Sequence, residues 1–192
     1  MLPVGDRAAV PVLRTVSPEA RYNPLETRPV QAAMLIYIHG FNSSSQSGKA
    51  RELTAWMAER GLAESCICPD LPARPRDAVA LLEERIVAGR GRAKLVGSSL
   101  GGHYATWLAE KYGLKAVLVN PCVACHEKLA REVGRVQKNW HDGAEYLFTA
   151  AHVAELAALH LDRITRPERY LLLAEQGDAV LDWREAAAYY RG

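Results

Sequence analysis

KLVGSSLGG, residues 94–102, is the stretch that decides the fold of this chain. A short apolar run leads into Gly97–Gly101, which matches the pattern G-x-S-x-G, and a helical pattern follows. In that pattern the central serine lies on a sharp turn from strand to helix, where side chains two residues before and after it would collide. We therefore predict Ser99 as a nucleophile, with the Leu100 N–H and the helix N-terminus directed at developing negative charge. Ser98 has the wrong spacing to the glycines and is predicted to be structural.

Short apolar runs alternate with helical patterns from Met34 onward. Continuous runs rich in Leu, Ile and Val are typical of strands that are buried on both faces of a parallel sheet. We predict a three-layer α/β domain over residues 34–192, with about five to six mostly parallel strands. The predicted strands are Met34–His39, Cys66–Pro69, Lys94–Gly97, Ala116–Asn120 and Tyr170–Ala174. The predicted helices are Ser47–Arg60, Asp77–Ala88, Leu100–Tyr112 and Leu181–Tyr190.

Two segments stand outside this alternation. Residues 1–33 are rich in proline and show no hydrophobic period, so we expect a disordered or loosely attached arm. An alternative is that the protein begins at Met34. Residues 121–169 separate two predicted strands and contain helical patterns near His126–Val133 and His152–Leu161. An insertion of this length in a βα array commonly covers a pocket, so we predict a helical lid.

A second motif closes the first predicted strand, at Ile38–Asn42. An acyl-transfer enzyme needs two N–H donors to hold the oxyanion, and one of them comes from the loop after the strand that neighbours the elbow strand. Gly40 lets the backbone approach closely, so we predict the Phe41 N–H as the donor that complements the Leu100 N–H. His39 is predicted to shape this loop and not to act as a catalytic base.

A catalytic acid is predicted after the last strand, at Asp178. A strand, a Gly-Asp turn and a helix place this carboxylate at the carboxyl edge of the sheet, where ligands and catalytic groups collect. The order serine then aspartate fits this hydrolase arrangement. Asp182 is the alternative, and its expected role is a carboxylate at the start of the last helix.

The composition is that of an ordinary globular protein, with 192 residues, 49% of them hydrophobic and 24% charged. A net charge of +2 favours neither nucleic acid nor a membrane surface as a partner. No apolar stretch approaches the roughly 18 residues that span a bilayer, and no apolar block typical of a secretion signal precedes Met34. We therefore expect a cytoplasmic protein whose four cysteines are reduced.

Taken together, these motifs resemble the YqiA-like esterases, a small α/β-hydrolase family. The resemblance covers nearly all of residues 34–190. It implies an α/β-hydrolase fold and hydrolysis of short-chain esters or acyl-CoA thioesters, with Ser99 as the nucleophile and Asp178 as the triad acid. The expected partner is then a small acyl substrate, with no cofactor. The matching stretches are Ile38–Ser44, Ser47–Ala50, Leu95–Gly102, Ala105–Ala109, Val119–Pro121 and Gly177–Asp182.

The catalytic histidine is where the chain departs from that family. The resemblance implies a histidine in a loop beyond the acid, but every histidine of this chain precedes Asp178, and we expect His103 to pack on its helix away from Ser99. We hypothesise a truncated or frame-shifted copy of a longer enzyme, with apolar sheet surface exposed and low stability or self-association as the result. The alternative function is a catalytically impaired hydrolase-fold binding protein, because serine without a base is a weak nucleophile. The histidines are His39, His103, His126, His141, His152 and His160.

The cysteines offer two further patterns. Cys122–His126 matches C-x-x-C-H, the pattern of covalent haem attachment, but no export signal accompanies it. Cys66 and Cys68 could combine with Cys122 and Cys125 to bind zinc. Cysteines within a buried strand behave as small hydrophobic side chains, so we expect neither haem nor a metal.

Overall fold

A five-stranded parallel sheet forms the centre of the domain in the computed structural model, which describes residues 34–90 and 92–191. The strands are β1 (Leu35–Ile38), β2 (Cys66–Ile67), β3 (Lys94–Ser98), β4 (Lys115–Val119), β5 (Val136–Lys138), β6 (Glu145–Leu147) and β7 (Tyr170–Leu173). The order in the sheet is β2-β1-β3-β4-β7, and β5 and β6 form a separate two-stranded hairpin. All five predicted strands are confirmed. The predicted N-terminal arm, residues 1–33, lies outside the described residues.

Helices connect the strands of the sheet. They are α1 (Gly48–Glu59), α2 (Pro75–Ala88), α3 (Leu100–Tyr112), α4 (Cys125–Leu129), α5 (Ala150–Ala158) and α6 (Trp183–Tyr189). Short 3₁₀ turns lie at Ala63–Ser65, Ala130–Glu132 and Pro167–Arg169. α2 begins two residues earlier than predicted because Pro75 occupies its first position, where the missing N–H is not needed. Among the described helices, none combines the length and the hydropathy that a membrane crossing requires.

The core lies between the central strands and helix α3. Ile36 and Ile38 of β1, Leu95 of β3 and Leu118 of β4 are all buried. Helix α3 contributes Leu108 and several small side chains to the same cluster, so this helix can pack closely against β3 and β4. The position of α3, and with it the position of the turn that precedes it, is therefore determined by the core.

The insertion at residues 121–169 contains both predicted helices but is only partly helical, and its role as a lid stays a prediction. Helices α4 and α5 correspond to the two predicted patterns, but the antiparallel β5–β6 hairpin lies between them. Its turn is held by Asn139, whose Oδ1 accepts the His141 N–H at 2.9 Å, and by Gly143, which adopts a φ of +73°. The sequence pattern did not reveal the hairpin because each of its strands is three residues long.

Strand β7 forms one edge of the sheet. Among the described strands it pairs only with β4, and Leu171 and Leu173 on one of its faces are 53% and 46% exposed. These two leucines are exposed apolar side chains at an edge of the sheet, and the hypothesised truncation stays a prediction. Low stability and self-association stay predictions.

The expectation of four reduced cysteines is wrong for one pair. Cys122 and Cys125 form a disulfide, with their Cα atoms 5.5 Å apart, whereas Cys66 and Cys68 are free. The pairing is possible because Ala124 adopts a left-handed conformation, with φ +49°, which folds the segment back to a separation that suits a disulfide.

Candidate active site

The turn at Ser99 has the strained geometry that its motif predicts. Ser99 adopts φ +53° and ψ −118° between β3 and α3, a conformation that an L-residue rarely adopts. A side chain on Gly97 would overlap the Gly101 backbone, and one on Gly101 would overlap the backbone of Ile38 in β1. A Cβ on Gly102 would come within 2.6 Å of the Pro121 Cβ. Glycine is therefore required around the turn for reasons of space.

Two backbone N–H groups beside Ser99 have no acceptor among the described residues. They belong to Phe41, in the loop after β1, and to Leu100, the first residue of α3. The loop approaches closely, since a Cβ on Gly40 would lie 3.3 Å from the Ser99 Cβ. Two unpaired N–H donors near a serine hydroxyl are the arrangement that stabilises an oxyanion.

His39 is buried beneath this loop, and both of its ring nitrogens are engaged. Nε2 accepts the Leu71 N–H at 3.1 Å, so Nδ1 carries the proton and donates to the Gly40 carbonyl at 3.0 Å. Burial lowers the pKa of His39, which keeps the ring neutral. His39 therefore shapes the loop, as predicted.

Asp178 lies beyond β7 and is hydrogen-bonded to the end of the neighbouring strand. Asn120, the residue after β4, donates from Nδ2 to one carboxylate oxygen at 2.9 Å. The other oxygen accepts the N–H groups of Val180 at 2.8 Å and Leu181 at 3.0 Å. The Leu181 and Val180 N–H groups, with Asn120, hold the pKa of Asp178 below its ordinary value. In the part of the chain that is described, no histidine hydrogen-bonds or ion-pairs with Asp178.

The alternative acid, Asp182, has the structural role expected for it. It is the N-cap of α6, and its side chain accepts the Arg184 N–H at 2.9 Å. Asn120 is a residue that the sequence analysis missed as a partner of Asp178. The position of Asn120 directly after a central strand could have indicated this role. Asn120 adopts a left-handed φ of +42°, which asparagine tolerates better than most residues.

A cavity of about 940 Å³ opens above Ser99, within the size range of small-molecule sites. Phe41, Leu100, Leu129 and Leu181 supply apolar wall. His141, from the turn of the hairpin, also lines the cavity, and of the described histidines it is the one that does so. His141 precedes Asp178 in the chain and reaches the cavity only because the hairpin folds over the site, which chain order alone does not predict.

The remaining histidines are engaged elsewhere. His103 is buried, and its Nε2 lies 3.1 Å from the Leu156 carbonyl oxygen, so the prediction that it packs away from Ser99 is confirmed. The His103 and His126 rings both neighbour that of His160, with centroids 6.4 and 4.9 Å away. His152 completes a capping box with Thr149 at the start of α5.

The polar part of the cavity wall carries one cation without an ion pair among the described residues. Lys128 pairs with Glu185 at 2.7 Å, and Arg131 approaches Glu132 at 3.5 Å. Lys49, in the first turn of α1, has no such partner, and its charge contributes to the lowered pKa of Asp178. Glu52 and Glu132 lie in the same wall, so the cavity combines apolar side chains with charged groups of both signs.

Comparison with solved structures identifies the fold as that of the α/β hydrolases. Alpha/beta hydrolase domain-containing protein 10 from mouse superposes with a TM-score of 0.61 at 15% identity, over 82% of this chain and 74% of that one. Est1E from Butyrivibrio proteoclasticus gives a TM-score of 0.59 at 14% identity, over 82% and 73%. At these identities the similarity shows the fold alone.

A family model described as uncharacterised protein family UPF0227 matches residues 34–192. The match begins where the first strand was predicted to begin and includes the elbow, the loop after β1 and the Asp178 turn. This is the family of the YqiA-like esterases, so the predicted resemblance is confirmed. The chain belongs to family UPF0227 and has the α/β-hydrolase fold.

Proposed function

We propose that this protein is a serine hydrolase that cleaves short-chain carboxylic esters or acyl thioesters through an acyl-enzyme on Ser99. The observation that carries the proposal is the strained Ser99 turn beside the two unpaired N–H groups of Phe41 and Leu100. A turn of this kind holds a hydroxyl at the cavity floor, and its strain is expected at a functional site. Asp178 is proposed as the acid of the site.

The chemistry follows from these positions. The Ser99 hydroxyl attacks the acyl carbon and gives its proton to a base, for which His141 is the candidate in the cavity wall. The carbonyl oxygen becomes an oxyanion that accepts hydrogen bonds from the Phe41 and Leu100 N–H groups. Collapse expels the alcohol or thiol, which takes up a proton, and water then releases the acid from Ser99. Each oxyanion donor contributes about 3 kcal/mol to lowering the barrier.

A fluorophosphonate probe tests the nucleophile directly, because it phosphonylates an activated serine. We expect one label per chain, mapped to Ser99 by peptide mass spectrometry. Ser99→Ala should abolish the label, and the matched control Ser98→Ala should retain it. A folded wild-type protein that is not labelled would refute the proposal.

The proton acceptor is tested in the same experiment. Without a base, serine is a weak nucleophile, and His141 is the described histidine that shares the cavity with Ser99. Loss of labelling in His141→Gln would assign the proton to His141. Labelling equal to that of the wild type would exclude it.

The substrate class is tested with matched acyl groups. The rates of hydrolysis of p-nitrophenyl butyrate and p-nitrophenyl palmitate show the preferred acyl length. The rates for butyryl-CoA and p-nitrophenyl butyrate show the preferred leaving group. The short acyl chain rests on membership in the family of the YqiA-like esterases, and Lys49 in the cavity wall is the cation that would pair with a phosphate of a thiol leaving group. Faster turnover of the palmitate ester would refute the short-chain assignment.

A second candidate is a hydrolase-fold protein that binds a small ligand without turnover. Both carboxylate oxygens of Asp178 already accept hydrogen bonds, one from Asn120 and the other from backbone N–H groups of the loop that follows Asp178. This observation favours binding without turnover. Saturable binding of an ester in the absence of both labelling and hydrolysis would support this function.

A further inference from the structure

The β5–β6 hairpin makes several hydrogen bonds to one residue of the loop after β1. The Tyr146 hydroxyl donates to the Asn42 Oδ1 at 2.7 Å. The Asn42 Nδ2 donates to the Gln137 Oε1 at 2.9 Å, and the Asn42 carbonyl accepts the Trp140 N–H at 3.0 Å. Asn42 directly follows Phe41, so these contacts act next to the proposed oxyanion donor.

Two further contacts hold the residues on either side of Asn42. The Asn139 Nδ2 donates to the Ser43 carbonyl at 3.0 Å. The Phe41 ring packs edge-on against Phe148, with centroids 5.6 Å apart, and Phe148 is fully buried directly after β6. The loop is thus fixed by the hairpin on both sides of Asn42.

The loop has little internal support of its own. Within residues 40–43 the structure has one backbone hydrogen bond, from the Ser43 N–H to the Gly40 carbonyl at 3.3 Å. Asn42 adopts a left-handed φ of +54°, a conformation that persists only where surrounding contacts impose it. Most of the hydrogen bonds that impose it come from the hairpin.

We propose that the β5–β6 hairpin positions the Phe41 N–H for catalysis, with Tyr146 as the principal positioning residue acting through Asn42. This inference rests on the proposed function, since the orientation of the Phe41 N–H affects chemistry only if an oxyanion forms at Ser99. Tyr146 does not line the Ser99 cavity, so it acts on the donor and not on the substrate. Its contribution is made in the transition state, where the donor must already be in place.

Tyr146→Phe is the direct test, because it removes the hydroxyl and keeps the ring. The matched control is Tyr189→Phe, since the Tyr189 hydroxyl donates to the Leu161 carbonyl at the same 2.7 Å and not to residues 40–43. We expect the maximal rate of fluorophosphonate labelling in Tyr146→Phe to fall on the order of 10-fold, because small misplacements of catalytic groups are costly. The half-saturating probe concentration should stay the same, and Tyr189→Phe should match the wild type.

Hydrogen exchange measured by mass spectrometry provides a readout that needs no activity. We expect faster exchange in Tyr146→Phe at the Ser43 and Trp140 amides, whose N–H groups donate to the Gly40 and Asn42 carbonyls, with α3 unchanged. Asn42→Asp keeps the acceptor for Tyr146 and should lose less labelling rate than Asn42→Leu, which loses every side-chain hydrogen bond.

The outcomes separate the two proposals. Absence of labelling in the wild type refutes the proposed function, and the exchange data alone then decide whether the hairpin holds the loop. Unchanged exchange at the Ser43 and Trp140 amides in Tyr146→Phe overturns the inference in every case. In a labelled wild type, an unchanged maximal rate in Tyr146→Phe, or faster exchange spread through α3, overturns it as well.

Discussion

Replacing Ser99 by glycine should stabilise the protein while removing its proposed nucleophile. Ser99 adopts φ +53° and ψ −118°, and a non-glycine residue in such a region costs about 1–3 kcal/mol. Glycine relieves that strain, but its greater freedom in the unfolded chain costs roughly 0.5–1 kcal/mol. The balance is a gain of about 1 kcal/mol in the free energy of unfolding, or about 2–4 °C in Tm for a domain of this size.

Ser99→Ala is the comparison that isolates the backbone effect. It removes the same hydroxyl but keeps the Cβ and its strain, and the hydroxyl has no hydrogen-bond partner among the described residues, so the stability should change little. Ser98→Gly is the matched control at a position without positive φ. It should destabilise by at least roughly 0.5–1 kcal/mol, because glycine is less favourable in a strand, relieves no strain there and removes the Ser98 hydroxyl that hydrogen-bonds Tyr37.

Urea denaturation and thermal unfolding of the four proteins provide the measurement, with fluorophosphonate labelling as a check that both Ser99 variants have lost the nucleophile. The expected order of stability is Ser99→Gly above the wild type and Ser99→Ala, with Ser98→Gly lowest. If Ser99→Gly unfolds at or below the urea midpoint of Ser99→Ala, the backbone at this turn is not strained and the reasoning is wrong.

Three further predictions concern the elbow, a buried histidine and the cysteines. Overpacking costs about 1–3 kcal/mol, and Gly101→Ala should lower the free energy of unfolding by an amount near the upper end of that range. The reason is that the new methyl group would overlap the backbone of Ile38, and the measurement is the urea midpoint. Burial lowers the pKa of His103 to about 4 from 6.5, so the unfolded chain binds a proton that the folded protein excludes. The free energy of unfolding should therefore fall by about 3 kcal/mol as the pH drops from 6.5 to 4, and less in His103→Gln; a flat wild-type profile would contradict this. Titration of the denatured, unreduced protein with a thiol reagent should find two thiols, because Cys122 and Cys125 are paired, and a count of four would exclude the disulfide.

The features that the sequence predicted are those with local causes. The elbow follows from the spacing of Gly97, Ser99 and Gly101, which acts through steric overlap within a few residues. The strands and helices follow from apolar periodicity, and Asp182 caps α6 through a hydrogen bond two residues along the chain. In each case the residues that form the pattern lie within about ten positions of the feature that they predict, so the sequence alone was sufficient.

The features that it missed depend on contacts between distant parts of the chain. Asn42 and Tyr146 are 104 residues apart, and their hydrogen bond forms only when the hairpin has folded over the loop.

The capping box of α5 was not predicted, for a different reason. Its third position is occupied by His152, which accepts the Thr149 N–H at 3.1 Å, where the usual signature has Glu or Gln.

This division bears on how the function should be judged. The strained Ser99 turn is imposed by the packing of α3 against β1 and β3, so it exists whenever the domain folds. Under the proposed function, substrate contact and proton transfer would depend instead on the segment between β4 and β7, which contributes His141 and the rest of the hairpin turn to the cavity wall. A change in that segment can abolish turnover without disturbing the elbow. The α/β-hydrolase fold and an intact G-x-S-x-G turn are therefore compatible with both candidate functions, and the reactivity of the Ser99 hydroxyl is the property that separates them.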